Sequence, residues 1–519
     1  MLFRLIARNL APHKGALLGI VLLQLLSTVA TLYLPTLNAD IIDNGVVKQD
    51  TGAIYSLGGW MLLISLGQIV CAIAATFLSA RLAMTVGRQL RGELFSKVES
   101  FSAREVGKFG APSLITRTSN DVQQIQMLTL MSFTMMVMAP IMCVGGIILA
   151  LQQDVPLSGL LLVIIPVLVV AISLIVRKLV PLFRKGQAQL DAINGVLREQ
   201  IMGVSVIRAF VRRDYEDARF DQANQNLTRT QLGAGRLLSL MFPTIMVVVS
   251  AATVGVLWFG GMRIDAGGMQ IGALTAFLSY IMQILMAIMF ALFMFMMIPR
   301  AAVSAERIQE VLSTESSVAD KPGAQNIADL DGTIEFDAVE FSYPGAEAPV
   351  VSGLSFRAEP GTTTAVIGST GSGKSTLINL IPRLLDRTGG NIALGGHESH
   401  QLTLESLRSS IGLVPQKAYL FSGSVASNIR FGKPDATETE IWAALEIAQA
   451  ADFVREMPEG LDAPIEQGGA NVSGGQRQRL CIARAIIANP KVYLFDDSFS
   501  ALDFSTDAKL RAALNPVTT

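Results

Sequence analysis

Six stretches of the chain are apolar for long enough to cross a hydrocarbon layer of about 30 Å, at roughly 15–37, 56–80, 126–151, 157–180, 237–262 and 272–299. Polar residues between them are unevenly shared. The connection between the second and third runs carries Arg81, Arg88, Arg91, Lys97, Arg104, Lys108 and Arg117, and that between the fourth and fifth a larger basic set from Arg177 to Arg236. The opposite connections hold Lys48, no basic residue, and Arg263. Basic excess marks the cytoplasmic side, so both termini are expected there. No proline falls between Pro35 and Pro112 or between Pro181 and Pro243, so spans two to five are expected to continue as helices beyond the bilayer. About 50 residues of helix would reach roughly 75 Å at 1.5 Å per residue, and two separate amphipathic helices per connection are the alternative. The opening MLFRLIARNLAPHKG mixes basic and apolar positions and reads as an interfacial helix, not a cleaved signal.

After Pro299 and Arg300 the pattern changes. A polar stretch, STESSVADKPGAQNIADLDG, gives way to short strand-like segments (TIEFDAVEFSY, LSFRAE, TTAVIG, VYLFDD) alternating with helical ones. The expected division is a membrane domain over residues 1–310 with six helices, a linker over 311–332, and a cytoplasmic α/β domain with a largely parallel sheet over 333–519. Composition agrees with the membrane half, since 51% of the 519 residues are apolar and 16% charged. A net charge of −1 gives no reason to expect nucleic acid as a partner. Cys71, Cys143 and Cys481 are far apart, without metal or CxxC spacing, and read as unpaired packing residues.

The candidate chemistry begins where TTAVIG ends. Gly368, Ser369, Thr370, Gly371, Ser372, Gly373, Lys374, Ser375 and Thr376 follow a predicted strand and precede a helical stretch, the setting of a P-loop. Glycines let backbone N–H groups turn inward around phosphates, Lys374 adds a point charge, and the Ser375 hydroxyl can sit on Mg²⁺. Some 120 residues later the apolar run Val492–Phe495 ends in Asp496 and Asp497, where a carboxylate can hold the magnesium of a bound nucleotide. Between them lies Val472-Ser473-Gly474-Gly475-Gln476.

With these pieces in this order, the chain resembles the exporter-type ABC half-transporters over nearly its whole length. The resemblance implies a six-span helical membrane domain plus an ABC nucleotide-binding domain, fuelled by ATP with Mg²⁺. It assigns Tyr343 to adenine stacking, Gln416 to the loop that meets magnesium and the membrane domain, and Ser500 to Asp503 to the D-loop. It makes Ser473, Gly474, Gly475 and Gln476 the signature, which closes on the nucleotide of a second subunit. The segments Ser113–Val122 and Gly203–Asp214 look like its coupling regions, with solvated turns as the plainer reading.

Three departures from the family are visible. Its catalytic glutamate position is occupied by Asp497, one methylene shorter, with Asp496 at the magnesium position. The stretch Ile465-Glu466-Gln467-Gly468-Gly469 lacks the usual pattern ahead of the signature, and the only histidines, His13, His397 and His400, all lie upstream, so the switch histidine is absent. The chain is expected to be cut short after the D-loop. Together these resemble the degenerate-site subunit of a heterodimeric exporter, whose partner half-transporter carries the glutamate; a homodimer with two weaker sites is the rival. Spans three and six lack charge and are rich in methionine (Met127, Met131, Met135, Met136, Met138, Met142; Met282, Met286, Met289, Met294, Met296, Met297). Such surfaces suit apolar ligands, although ordinary helix packing uses methionine too. The expected activity is export of a hydrophobic drug or lipid across the plasma (inner) membrane. The alternatives are an importer of the same fold, for example of a metal chelate, or a regulatory subunit that binds ATP without hydrolysing it.

Overall fold

The computed structural model describes residues 2–518, apart from the side chains of Phe295 and Met296; the Met296 expectation therefore lies outside the described residues. The chain forms two compact units, Met1–Phe95 with Ile115–Leu312, and Ser96–Leu114 with Ser313–Thr519.

Among the described residues the first unit contains six helices long and apolar enough to cross a membrane: α1 (Leu2–Val46), α2 (Thr51–Glu99), α3 (Ala111–Gln153), α4 (Val155–Met202), α5 (Arg213–Asp265) and α6 (Ile271–Ser313). Each contains one of the six apolar runs. The 49 residues of α2 and 53 of α5 make rods of roughly 75 Å, the length expected of helices that run past the bilayer. The start of α1 buries Leu2 and Leu5 and turns at Ala11–His13, where Pro12 interrupts the regular bonding. Leu32, Ala150, Leu168, Ile172, Val249, Val256, Phe277 and Ile284 form one core, drawn from α1, α3, α4, α5 and α6. By contrast only 6% of the apolar window of α2 is buried within the chain, which leaves that surface for lipid or another chain.

Polar groups inside this unit are spent on fixing helix ends. Asp43, in the π-helical turn Ile41–Val46 that ends α1, accepts a hydrogen bond from the backbone N–H of Gly272 at 2.7 Å, capping α6 with a carboxylate. A side chain on Gly272 would collide with the Ala39 carbonyl and the Asp43 carboxylate, so this close approach requires glycine. Asp154 caps α4 through the Leu157 N–H at 2.8 Å and pairs with Arg263 at 2.8 Å. Deep in the core, Thr36 and Tyr280 share a hydrogen bond of 2.6 Å. Among the methionines, Met138 and Met142 of α3 pack with Ala287 and Phe290 of α6, and Met127, Met136, Met282 and Met286 are exposed.

In the second unit, β1 (Ile334–Phe341) pairs antiparallel with both β2 (Val351–Ala358) and β3 (Gly389–Leu394), and β4 (His397–Glu398) extends the sheet. A separate parallel pair joins β5 (Ile411–Val414) to a later strand, Val492–Phe495. The strands thus fall into separate sheets, and only this one pair of named strands is parallel among the described residues, against the largely parallel arrangement expected. The segment TTAVIG also departs from expectation. Residues 362–368 carry no ladder, and Ile367 is 91% exposed. Strand character depends on pairing and burial more than on apolar content, and this run has neither. The polar stretch after α6 is strapped down: Ala319 O accepts from Arg383, and Asp320 accepts from the Leu404 N–H at 2.7 Å.

Candidate nucleotide site

The loop 368–373 turns sharply because Gly371 and Gly373 take φ of 84° and 89°, values that side chains disfavour. A Cβ on Gly373 would also stand 2.9 Å from Val350 Cγ1. Helix α7 (Lys374–Leu380) begins immediately after, so the N–H groups of its first turn face the loop. Lys374 Nζ donates to the carbonyls of Gly368 (2.8 Å) and Ser369 (2.7 Å), which holds its charge within the loop. Tyr343 arrives from beyond β1, set edge-on to Phe341, and its hydroxyl lies 3.1 Å from Thr376 Oγ1.

The two halves of the motif meet although 121 residues separate them. Ser375 Oγ donates to Asp496 Oδ1 at 2.9 Å. Asp496 follows the strand Val492–Phe495, is buried, and its N–H donates to Val414 O at 3.0 Å. Because β5 runs parallel to that strand, Gln416, two residues past its end, leaves the sheet on the same side as Asp496 and Asp497. A hydroxyl and a carboxylate in contact are oxygen donors of the kind a hard cation takes, so Ser375 and Asp496 fit Mg²⁺.

Asp497 is exposed and left-handed, with φ 50°. Its carbonyl accepts from Ser500 Oγ at 2.9 Å and from the amide of Gln478 at 3.4 Å. Gln478 was not legible as a functional residue. It lies on α8 (Gly474–Ile487), a polar side chain in an otherwise apolar buried stripe, and that mismatch is the one signal that could have found it.

Helix α8 starts at the signature. Ser473 is its N-cap, and Ser473 and Gln476 satisfy each other's backbone N–H groups at 3.2 and 2.9 Å. This rigid, dipole-aligned helix start is exposed, which suits an anion brought by another chain. Gly475 packs under the D-loop, where an added Cβ would stand 3.0 Å from Ala501 O. The Gly475→Ala variant is expected to displace the D-loop and lower ATP turnover of the complex about tenfold at unchanged nucleotide affinity, measured by steady-state hydrolysis beside fluorescent-nucleotide titration. At the end of the D-loop, Asp503 is held below the ordinary carboxylate range by hydrogen bonds from Thr506, at 2.6 Å to Oγ1 and 2.9 Å to N. Burial pushes the Cys481 thiol up, which leaves it inert beside this chemistry.

The ABC transporter transmembrane region matches residues 17–289, and the ABC transporter domain matches residues 351–500. An uncharacterized ABC transporter ATP-binding protein of Mycobacterium tuberculosis is 49% identical over 100% of this chain and 89% of its own length. The ATP-dependent lipid A-core flippase of Chromobacterium violaceum is 31% identical, covering 96% of this chain and 86% of that protein. A bacterial Atm1-family ABC exporter with ATP bound shares the fold, with a TM-score of 0.78 at 22% identity over 98% of this chain and 89% of that one. One polypeptide thus carries a membrane region and a P-loop ATPase domain once each, and the chain belongs to the ABC transporter family as a half-transporter of exporter-type fold.

Proposed function

We propose that the chain is one half of a dimeric, ATP-driven exporter of hydrophobic or amphipathic compounds, and that it supplies the weaker of two ATP sites. The observation that carries the reading is the Ser375–Asp496 contact at 2.9 Å in a chain whose other half is six membrane-length helices. Lys374 and the N–H groups of the loop hold the phosphates, Tyr343 the base, and Ser473 and Gly475 the γ-phosphate of the partner's nucleotide. Ser375, Asp496 and Gln416 would hold magnesium, which would supply charge neutralisation to the bound phosphates. The basic residues in the connections between apolar runs two and three and between runs four and five support a cytoplasmic position for both termini and the ATPase domain, and we place the chain in the plasma (inner) membrane. The exposed Met282 and Met286 on α6 favour apolar cargo, as does the likeness to a putative multidrug export protein of Staphylococcus aureus, 32% identical over 82% of this chain and 74% of that one.

The test is to purify the tagged complex from native membranes, identify its subunits by mass spectrometry, and assay ATP-dependent uptake of the lipophilic dye Hoechst 33342 into inside-out vesicles. A second half-transporter with an Asp-Glu pair, and dye uptake, are the expected results. Recovery of this chain alone would overturn the asymmetric dimer. Absence of uptake would overturn export of this class of compound.

A further inference from the structure

Helix α3 is not regular throughout. Arg117–Asp121 form a π-helical turn, a feature that forfeits regular bonds and tends to persist where function needs it. Asp121, the last residue of that turn, is 6% exposed. Its Oδ1 accepts a hydrogen bond from Ser304 Oγ of α6 at 2.9 Å, and its Oδ2 lies 3.3 Å from Arg307 Nε. One turn earlier the polarity reverses. Arg117 Nη1 donates to Arg307 O and to Glu310 Oε2, each at 2.7 Å. Acid on α3 meets base on α6, and base on α3 meets acid on α6. A slip of α6 by three residues would set Glu310 beside Asp121, two like charges with one of them buried, so the pair of bridges fixes the register of the two helices.

The position gives this clasp a consequence. The segment 113–122 is a candidate coupling region, and α6 ends at Ser313, from which the chain continues into the ATPase domain. The chain's covalent connection to the ATPase domain, through α6, is therefore tied to the candidate coupling region on α3 within a few residues. We infer that Asp121, Ser304 and Arg307, with Arg117 and Glu310 beside them, are transport-coupling residues that make α3 and α6 move as one body. They touch neither nucleotide nor cargo and act by position. Coupling of this kind runs through packed hydrogen-bond and charge networks with a defined register, and single changes within them shift it by a few-fold to about thirtyfold.

The inference rests on the ATP-driven transport reading, and its test separates the two. The purified complex would be reconstituted and ATP hydrolysis and Hoechst 33342 uptake measured together for Asp121→Asn, for Asp121→Arg and Arg307→Asp singly, and for the charge-swapped pair. Each single change is expected to keep hydrolysis within about threefold and lower dye moved per ATP about tenfold, and the swapped pair to recover at least about half of the lost coupling. A swapped pair no better than its parents, or an Asp121→Asn variant with native dye per ATP, overturns the inference. Ser304→Ala removes one hydrogen bond and no charge, so it covers the case of charge variants that do not fold; its expected loss is about threefold, and native coupling would count against the clasp. If the unmodified complex moves no dye, the export reading fails on its own. The clasp is then judged by trypsin digestion with and without ATP and vanadate, where Asp121→Asn should abolish the nucleotide-dependent change in the membrane half alone. Retention of that change overturns it.

Discussion

The Lys374→Ala variant is expected to bind ATP at its own site roughly 10- to 100-fold more weakly and to lose dye transport. The lysine is the single cation of the loop, and its Nζ lies against the carbonyls of Gly368 and Ser369, where the ammonium both closes the loop and presents charge to a phosphate. A hydrogen bond to a charged group contributes about 1.5–3 kcal/mol, and each 1.4 kcal/mol is a factor of ten in affinity. Neighbouring groups limit the loss, because Gly371 and Gly373 keep the loop curved and α7 still offers its N–H groups. Titration with a fluorescent ATP analogue on the intact complex reads the affinity, and thermal unfolding without nucleotide controls for folding. An affinity within twofold of the unmodified complex would mean that this loop does not hold the phosphates. Loss of affinity with full transport would instead mean that occupancy of this site is dispensable, against a clamp of two nucleotides.

The six spans were readable because length and apolarity suffice to name them, and the phosphate loop because its glycines have a conformational reason that sequence displays. Pairing was less visible. The antiparallel β1–β2 and β1–β3 ladders and the unladdered run 362–368 are decided by which strand finds which neighbour, and an apolar pattern of six residues carries no address. The Ser375–Asp496 contact was foreseeable from motif order, since both residues belong to one known arrangement. The Asp121–Arg307 and Asp43–Gly272 contacts were not, because each joins residues about two hundred positions apart, the former between charged residues in stretches already rich in polar ones and the latter to a backbone N–H, so neither carries a mark in the sequence. Gln478 escaped for a similar reason, as its partner is a backbone carbonyl and side-chain type says nothing of that.

The Asp497→Glu change is expected to raise hydrolysis at this chain's own site by about 10- to 100-fold while lowering stability by about 1 kcal/mol. Two separate terms are involved. The carboxylate of aspartate stops about 1 Å short of where the longer side chain would place it, and a misplacement of that size costs on the order of 10²-fold. The backbone does not readily make up the difference, because the Asp497 carbonyl is held by Ser500 Oγ and by the Gln478 amide. That same backbone is left-handed, a conformation that aspartate adopts more readily than glutamate and that costs other residues about 1–2 kcal/mol. The penalty falls on folding and the gain on chemistry, so the melting temperature and single-turnover hydrolysis should move in opposite senses. In a heterodimer the gain is clearest when the partner's Walker lysine has been removed, which leaves only the site built on Lys374 to turn over. Faster hydrolysis there would make residue 497 the element that weakens this site. An unchanged rate would place the limit elsewhere, in the partner's signature that completes this site. Asp497→Asn supplies the opposite arm: a further loss of about tenfold or more means the short carboxylate still acts as base, and no loss means the site only binds ATP.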